Sequence, residues 1–174
     1  MPKIIENLRE NLIARTRKTL LEEGYDAVTV RGIAKSCNTA AGTVYNYFPS
    51  KDDLIAYAIL EDWLAEVARI RHAVETCPDL VAGFKAILDG IAEFNLRYAA
   101  TFRQSGVALN GPSFAARHHM LRDQIVELMR ILEGRFDYRP TVTAEKVMAE
   151  SLLSGATHDW PDEELIPLLE KLIG

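Results

Sequence analysis

Two short helical segments joined by a tight turn are predicted near the N-terminus, and they constrain the fold more than any other feature of the chain. Gly24 ends a preceding helical stripe, because glycine is the usual residue just past a helix C-terminus. Thr29 is a favourable N-cap for a helix over about residues 30–37. Asn38 suits the turn, because asparagine tolerates the left-handed backbone conformation, and a further helix is predicted over about residues 40–47.

The rest of the chain is also helical in pattern, with no convincing strand alternation. Apolar residues recur at spacings of three and four, which places them on one face of a helix. The fifth predicted helix is the most strongly amphipathic, with Leu80, Phe84, Ile87, Ile91, Phe94 and Tyr98 on one face. Besides the two short segments, helices are predicted over about 2–23, 51–76 (capped by Ser50), 79–99, 113–134, 144–158 (capped by Thr143) and 162–173, with a short helix and a loop over 100–112. Eight or nine helices indicate an all-α protein.

The charge distribution favours a polyanionic partner for the first part of the chain. The net charge of the whole chain is −5, but residues 1–51 carry a net charge of +3 and residues 52–174 one of −8. A polyanion is therefore attracted to the first part and repelled by the rest.

Composition also bounds the location and the chemistry. No apolar run approaches the roughly 18 residues that cross a bilayer, and the N-terminus lacks the apolar region of a secretory signal. Cys37 and Cys77 form neither a disulfide framework nor a metal-ligand pattern. We therefore expect a cytoplasmic protein without a membrane partner.

The second short helix has the residue types of a helix that enters the major groove of DNA. Small residues let its backbone approach phosphates, and polar tips supply hydrogen bonds. The alternative is an ordinary short buried helix. Val44 and Phe48 already give the helix a buried face, so the polar run beside them favours DNA binding. The small residues are Ala40, Ala41 and Gly42, and the polar tips are Thr43, Tyr45, Asn46 and Tyr47.

Residues 24–51 resemble the N-terminal domain of TetR-type transcriptional repressors. The resemblance covers about the first third of the chain and implies a three-helix helix-turn-helix DNA-binding domain (1–50) followed by a helical effector-binding and dimerisation domain (51–174). It rests on Gly24-Tyr25, Thr29, Val30-Arg31, Ile33-Ala34, Gly42-Thr43-Val44-Tyr45, Tyr47-Phe48 and Lys51.

The resemblance also implies which residues contact DNA. Thr29 caps its helix toward a phosphate, Arg31 is suited to a guanine edge, and Lys51 is suited to a phosphate. This chain departs from the usual family pattern at Gly32, which weakens its helix, and at Ala40 and Ala41, so direct base contacts are expected to be few. The implied contacts are Thr29, Arg31, Ala41, Gly42, Thr43, Tyr45, Asn46, Tyr47 and Lys51.

A small-molecule pocket in the C-terminal helices is a further implication of the resemblance. For each aromatic residue taken alone, a packed core is the more common role. Polar groups beside the aromatic residues could orient a ligand, although no spacing identifies that ligand. The implied ligand-binding residues are Trp63, Phe84, Phe94, Asn95, Tyr98 and Phe102.

Homodimerisation through the last two helices follows from the same resemblance, because one recognition helix offers too little contact for specific binding whereas a symmetric dimer contacts two half-sites. The alternative is that these helices only close the core of the monomer. One face of the first is predicted to carry Val147, Met148, Ser151, Leu152 and Gly155, and one face of the second Leu165, Leu168, Leu169 and Leu172.

Catalytic and metal-binding patterns are missing from the sequence. His118 and His119 are adjacent and diverge by about 100° on a helix, so they cannot easily share one ion. We expect no metal, no cofactor and no enzymatic activity. The sequence predicts a ligand-responsive repressor that binds a palindromic operator in double-stranded DNA as a homodimer. The alternative is a small all-α ligand-binding module or enzyme that has kept the repressor architecture.

Overall fold

The computed structural model describes residues 7–104, 112–157 and 167, with side chains described for 7–101 and 119–153. The described residues form seven α-helices and no β-strand, which confirms the predicted all-α class. The helices are α1 (Leu8–Glu23), α2 (Val30–Ser36), α3 (Ala41–Tyr47), α4 (Lys51–Thr76), α5 (Leu80–Gln104), α6 (Pro112–Phe136) and α7 (Val142–Thr157).

The N-terminal helices begin and end where local chemistry dictates. Gly24 has a φ of 90° and donates its N–H to the Leu20 carbonyl, so a left-handed residue ends α1. Thr29 accepts a hydrogen bond on its side-chain oxygen from the Gly32 N–H at 3.1 Å and caps α2. Asn38 has a φ of 53° and turns the chain toward α3. These three predictions are confirmed.

The start of α4 is fixed by a reciprocal pair of hydrogen bonds. Ser50 accepts on its hydroxyl from the Asp53 N–H at 3.0 Å and donates to the Asp53 carboxylate at 2.8 Å. Ser50 therefore caps α4 as predicted.

Two predicted boundaries are wrong. The helix expected to end near Ala99 continues as α5 to Gln104, because alanines and the buried Thr101 sustain it and no glycine or proline interrupts it. A separate short helix is thus excluded for residues 100–104; residues 105–111 lie outside the described part. The cap of α7 is Thr141, whose side-chain oxygen accepts from the Ala144 N–H at 3.2 Å, and not Thr143.

The chain divides into two compact units, and α4 and α5 contribute residues to both. One unit comprises Met1–Leu64 with Arg97–Gly106, and the other comprises Ala65–Leu96 with Val107–Gly174. The predicted functional division at residues 50 and 51 stays a prediction. The predicted last helix, 162–173, lies outside the described residues.

Each unit has its own apolar core. In the first, the predicted stripe of α1 is buried, and α3 and α4 add further residues: Leu8, Leu12, Thr16, Leu20, Val44, Phe48 and Leu54. In the second, the core includes Phe84, Ile87, Ile91, Leu128, Leu132, Met148 and Leu152.

Close helix contacts in the second unit depend on two glycines. A Cβ at Gly83 would lie 2.3 Å from a Leu132 methyl, and one at Gly90 would lie 2.4 Å from the Ile70 side chain. A larger residue at either position would require the Leu132 or Ile70 side chain, or its helix, to shift.

Candidate nucleic-acid interface

The buried side of α2 and α3 holds the two helices in a fixed arrangement. Val30, Ile33 and Ala34 of α2 are buried, as are Val44 of α3 and the following Phe48. With the turn at Asn38 this forms the predicted helix-turn-helix, which α1 supports through its contact with α2.

The opposite side of α3 is polar, aromatic and exposed. Tyr45 is 53% exposed and Tyr47 is 45% exposed, and Asn46 between them is also exposed. Burying so little of two large rings leaves apolar surface in water, so the fold itself does not explain them. The expected partition of α3 between a buried face and a polar run is confirmed.

Small residues at the start of α3 leave its backbone accessible. Gly42 is exposed, and a Cβ built on it would meet no atom within 4 Å. Unlike Gly83 and Gly90, Gly42 is therefore not required by packing within the chain. A helical glycine is less favourable than alanine by up to about 1 kcal/mol, so Gly42 lowers the stability of α3 and leaves its backbone open to a partner.

The polar residues at the start of α2 are also exposed. Thr29 is exposed although its hydroxyl already caps the helix. Arg31 is exposed and makes no ion pair or hydrogen bond with the part of the chain that the structure describes. Its guanidinium is consequently available to an external acceptor.

Lys51 is held at the start of α4 by a neighbouring aromatic ring. Its ammonium nitrogen lies 3.9 Å from the centroid of the Tyr25 ring, within cation–π range. The Tyr25 hydroxyl in turn donates to the Asp52 carboxylate at 2.5 Å. This hydrogen bond, aided by partial burial, raises the pKa of Tyr25 to about 12, so the hydroxyl stays protonated. Sequence analysis had not assigned Tyr25 or Asp52 a role beside Lys51.

The predicted ligand-binding residues are distributed over both compact units. Trp63 and Tyr98 belong to the first unit, where both are buried. In the second unit, Phe84 and Phe94 are buried and Asn95 is half-buried; the side chain of Phe102 lies outside the described set. The Phe84 ring packs edge-on against Tyr138 at 5.8 Å between centroids, which is a core contact. The pocket therefore stays a prediction.

The Tyr98 hydroxyl has a partner that sequence analysis missed. It donates to the Asp62 carboxylate of α4 at 2.5 Å. Burial and this hydrogen bond raise the pKa of Tyr98 far above its usual value. Asp62 also forms an ion pair with Arg17 of α1, with 2.5 Å between Nε and Oδ1. The partners are 36 and 45 positions apart in sequence, so no local pattern could have revealed them.

The predicted dimerisation face of α7 is divided in the structure. Met148 and Leu152 are fully buried, whereas Val147 is 53% exposed and Ser151 is half-buried. These positions lie on one broad face of α7, and the core of the monomer takes the Met148 and Leu152 side of that face. Val147 and Ser151 remain on the outer side; the side chain of Gly155 lies outside the described set.

Two further features bear on function. Among the residues described, no group of three or more histidine, cysteine, aspartate or glutamate side chains could hold a metal ion. None of the described helices combines the length and the apolar character needed to cross a membrane.

Residues 12–58 match the model of the family described as bacterial regulatory proteins, tetR family. The transcriptional regulator HbdR of Aromatoleum sp. (strain CIB) is 30% identical over 95 residues, which cover 51% of this chain and 42% of HbdR. The chain thus spans less than half of HbdR. The transcriptional regulator UidR of Escherichia coli (strain K12) is 24% identical over 154 residues, which cover 86% of this chain and 78% of UidR.

Solved structures share the fold over nearly the whole chain. SCO7518 from Streptomyces coelicolor A3(2) superposes with a TM-score of 0.69 at 17% identity, covering 95% of this chain and 98% of SCO7518. The multidrug binding protein EbrR, solved with imidazole, superposes with a TM-score of 0.64 at 16% identity, covering 95% of this chain and 94% of EbrR. At such low identity the likeness concerns the fold alone.

Proposed function

We propose that the chain, whose residues 12–58 match the tetR family model, is a ligand-responsive repressor of that family that binds a palindromic DNA operator as a homodimer. The observation that carries the proposal is the exposed side of α3. There two tyrosines, an asparagine and a glycine without internal packing occupy a surface that the fold does not require.

DNA contact is divided between positioning and base recognition. Lys51, oriented by the Tyr25 ring, neutralises a phosphate, and the hydroxyls of Thr43 and Tyr45 donate to phosphate oxygens. Arg31 donates two hydrogen bonds to a guanine edge. The α3 backbone approaches the groove at Ala41 and Gly42, and Asn46 and Tyr47 extend beyond its end.

The charge distribution supports this orientation. The net charge of +3 on residues 1–51 attracts the phosphate backbone, and the net charge of −8 on residues 52–174 keeps the remainder away from it. The DNA therefore approaches from the side of the helix-turn-helix.

Homodimerisation supplies the second half-site that a specific operator requires. The exposed Val147 of α7, one turn from the small Ser151, is the apolar surface that we assign to the partner subunit, together with the last helix. An exposed apolar residue beside a small one permits close approach of two helices.

A small-molecule effector completes the proposal. Trp63, Phe84, Phe94, Asn95, Tyr98 and Phe102 remain its proposed contacts, because small-molecule sites combine apolar walls with a few polar groups. We propose no enzymatic role and a location in the cytoplasm, where the operator is.

The decisive experiment is selection of genomic fragments by the purified chain, followed by titration of a recovered duplex. Lys51→Ala should weaken binding on all sequences and reduce the slope of log affinity against log salt by about one.

Tyr45→Phe should weaken binding of the same duplex by about 1 kcal/mol, the usual contribution of one hydrogen bond.

Lys146→Ala is the matched control, because Lys146 is an exposed cation on α7, in the other compact unit. It should leave both affinity and salt slope unchanged. Recovery of no fragment above background at low salt would favour the alternative, a ligand-binding module or enzyme of the same architecture. Equal effects of Lys51→Ala and Lys146→Ala would move the DNA surface elsewhere.

A further inference from the structure

Three polar side chains connect α5, α4 and α1 within the first compact unit. The Tyr98 hydroxyl donates to Asp62 Oδ2 at 2.5 Å, and Asp62 Oδ1 lies 2.5 Å from Arg17 Nε. The second contact is an ion pair without the geometry of a directed hydrogen bond. Arg17 also donates through Nη2 to Glu61 at 3.1 Å. Arg17 thus engages two successive carboxylates of α4.

The burial of this cluster increases from α1 toward α5. The Arg17 side chain is 32% exposed, that of Asp62 is 13% exposed, and Tyr98 is fully buried. A buried hydroxyl strongly prefers to keep its hydrogen-bond partner. Tyr98 therefore restrains the Asp62 carboxylate in addition to the ion pair with Arg17.

The position of α1 determines the position of the helix-turn-helix. Helix α1 contacts α2, and α2 contacts α3. Because Asp62 and Glu61 both engage Arg17, these two contacts oppose rotation or sliding of α1 along α4. Restraint of Asp62 by Tyr98 is in this way transmitted to the DNA-contacting surface.

We propose that Tyr98 is a positioning residue for DNA recognition, which acts through Asp62 and Arg17 to fix the orientation of α1–α3 against α4. The inference rests on the proposed function, since orientation matters only if α3 enters a groove. It gives Tyr98 a role distinct from contact with an effector. A buried polar cluster that contributed stability alone would leave the orientation of α1 unchanged.

Tyr98→Phe is the first test, because it removes the hydroxyl and keeps the ring. Tyr138→Phe is the matched control: Tyr138 is also buried, and its hydroxyl donates to the Met148 sulfur at 2.8 Å in the other unit. The readout is the ratio of affinities for a recovered palindromic duplex and for the same duplex with one base pair inserted at its centre. The ratio should fall about fivefold in Tyr98→Phe, the scale of coupling between contacting residues, and stay at the parental value in Tyr138→Phe.

Hydrogen exchange gives a second readout that needs no DNA. Exchange of the α1 amides should accelerate about tenfold in Tyr98→Phe and in Arg17→Gln, the scale expected for loss of a hydrogen bond to a charged group. The double variant should show no further acceleration, because both changes break the same connection.

The outcomes separate the two proposals. Unchanged α1 exchange, or an unchanged spacing ratio in a Tyr98→Phe protein that binds the duplex, overturns the role of Tyr98 and leaves the proposed function intact. If exchange accelerates in Tyr98→Phe but the parent chain binds no DNA, the connection is structural only, and both proposals are overturned. An equal fall of the ratio in Tyr138→Phe assigns the effect to lost stability and also overturns the positioning role.

Discussion

At the scale of single residues, the DNA-binding hypothesis depends on side chains that the fold does not explain. Val44 and Phe48 are buried and account for the packing of α3, whereas Tyr45 and Tyr47 are largely exposed. The sequence predicted this partition because residues four apart share a helix face. It could not predict that the Tyr25 ring lies against Lys51, since that contact requires the loop after α1 to meet the start of α4.

Gly42→Ala should separate stability from DNA binding. Gly42 does not have a positive φ and has open space for a Cβ, so alanine should raise the free energy of unfolding by roughly 0.5 kcal/mol. The added methyl should at the same time weaken binding of the selected duplex. Urea unfolding and duplex titration measure the two effects.

Gly134→Ala is the control for this substitution. Gly134 is a helical, exposed glycine of α6 with open space for a Cβ, and alanine there should also stabilise. Duplex affinity should not change. If Gly42→Ala is more stable and binds the duplex as tightly as the parent, the backbone of α3 does not approach DNA closely at this position.

At the scale of helices, boundaries were predictable where a capping residue stands beside a breaker. Both ends of α4 agree with the sequence, because Ser50 caps the start and Cys77-Pro78 follows the end. The end of α5 was placed too early, although residues 100–104 contain no glycine or proline to stop the helix. The start of α7 was misassigned because two threonines, Thr141 and Thr143, both suit an N-cap and only the structure shows which hydroxyl meets a free N–H.

Thr141→Ala should therefore destabilise the protein by about 1 kcal/mol, the usual effect of losing an N-cap. Thr143→Ala is the matched control, because it removes the same groups two residues later, within the first turn of α7. The melting temperatures of the two variants show which threonine caps α7. A larger effect from Thr143→Ala would return the cap to the residue expected from the sequence.

A carboxyl pair makes the contact between α6 and α7 sensitive to pH. Burial, and then a hydrogen bond shared with the buried Glu145, raise the pKa of Glu133 from 4.5 to about 7, although Arg130 and Arg139 oppose the shift. The folded pair thus holds a proton that the unfolded chain releases, so its contribution to stability declines as pH rises from about 4.5 to 7.

Glu133→Gln should remove this part of the pH dependence and make the protein more stable than the parent at pH 8. The test is the melting temperature of the parent and of Glu133→Gln at pH 5.5 and at pH 8. Subtracting the value of one protein from that of the other at each pH cancels the contribution of the other titrating groups. Parallel melting curves at the two pH values would show that the pair carries no extra proton.

At the scale of the whole molecule, the fold alone leaves the function open. Both short helices and most helical faces followed from the sequence, and the resemblance to TetR-type repressors lies in residues 24–51, within the stretch that the family model matches. The residues of the dimer interface did not follow from the sequence. Met148 and Leu152 were expected on the same face as Val147, but they belong to the core of the monomer. Which apolar residues remain for a partner becomes visible only once the monomer is packed.

Val147→Glu tests the assembly. In a homodimer formed through α7, the substitution would bury a charge against the partner subunit, which strongly disfavours association. The chain should sediment as a monomer and lose specific binding of the palindromic duplex, because one recognition helix makes too few contacts. Since Val147 is exposed in the monomer, the fold and melting temperature of the variant monomer should change little.

Leu169→Glu, in the predicted last helix, should also produce a monomer that does not bind the palindromic duplex specifically. Leu96→Glu is the control, because Leu96 is 79% exposed on α5 and lies outside the proposed interface; it should stay dimeric. A Val147→Glu protein that remains dimeric and binds the duplex would place the interface on another face, and dissociation by Leu96→Glu would identify α5 as that face.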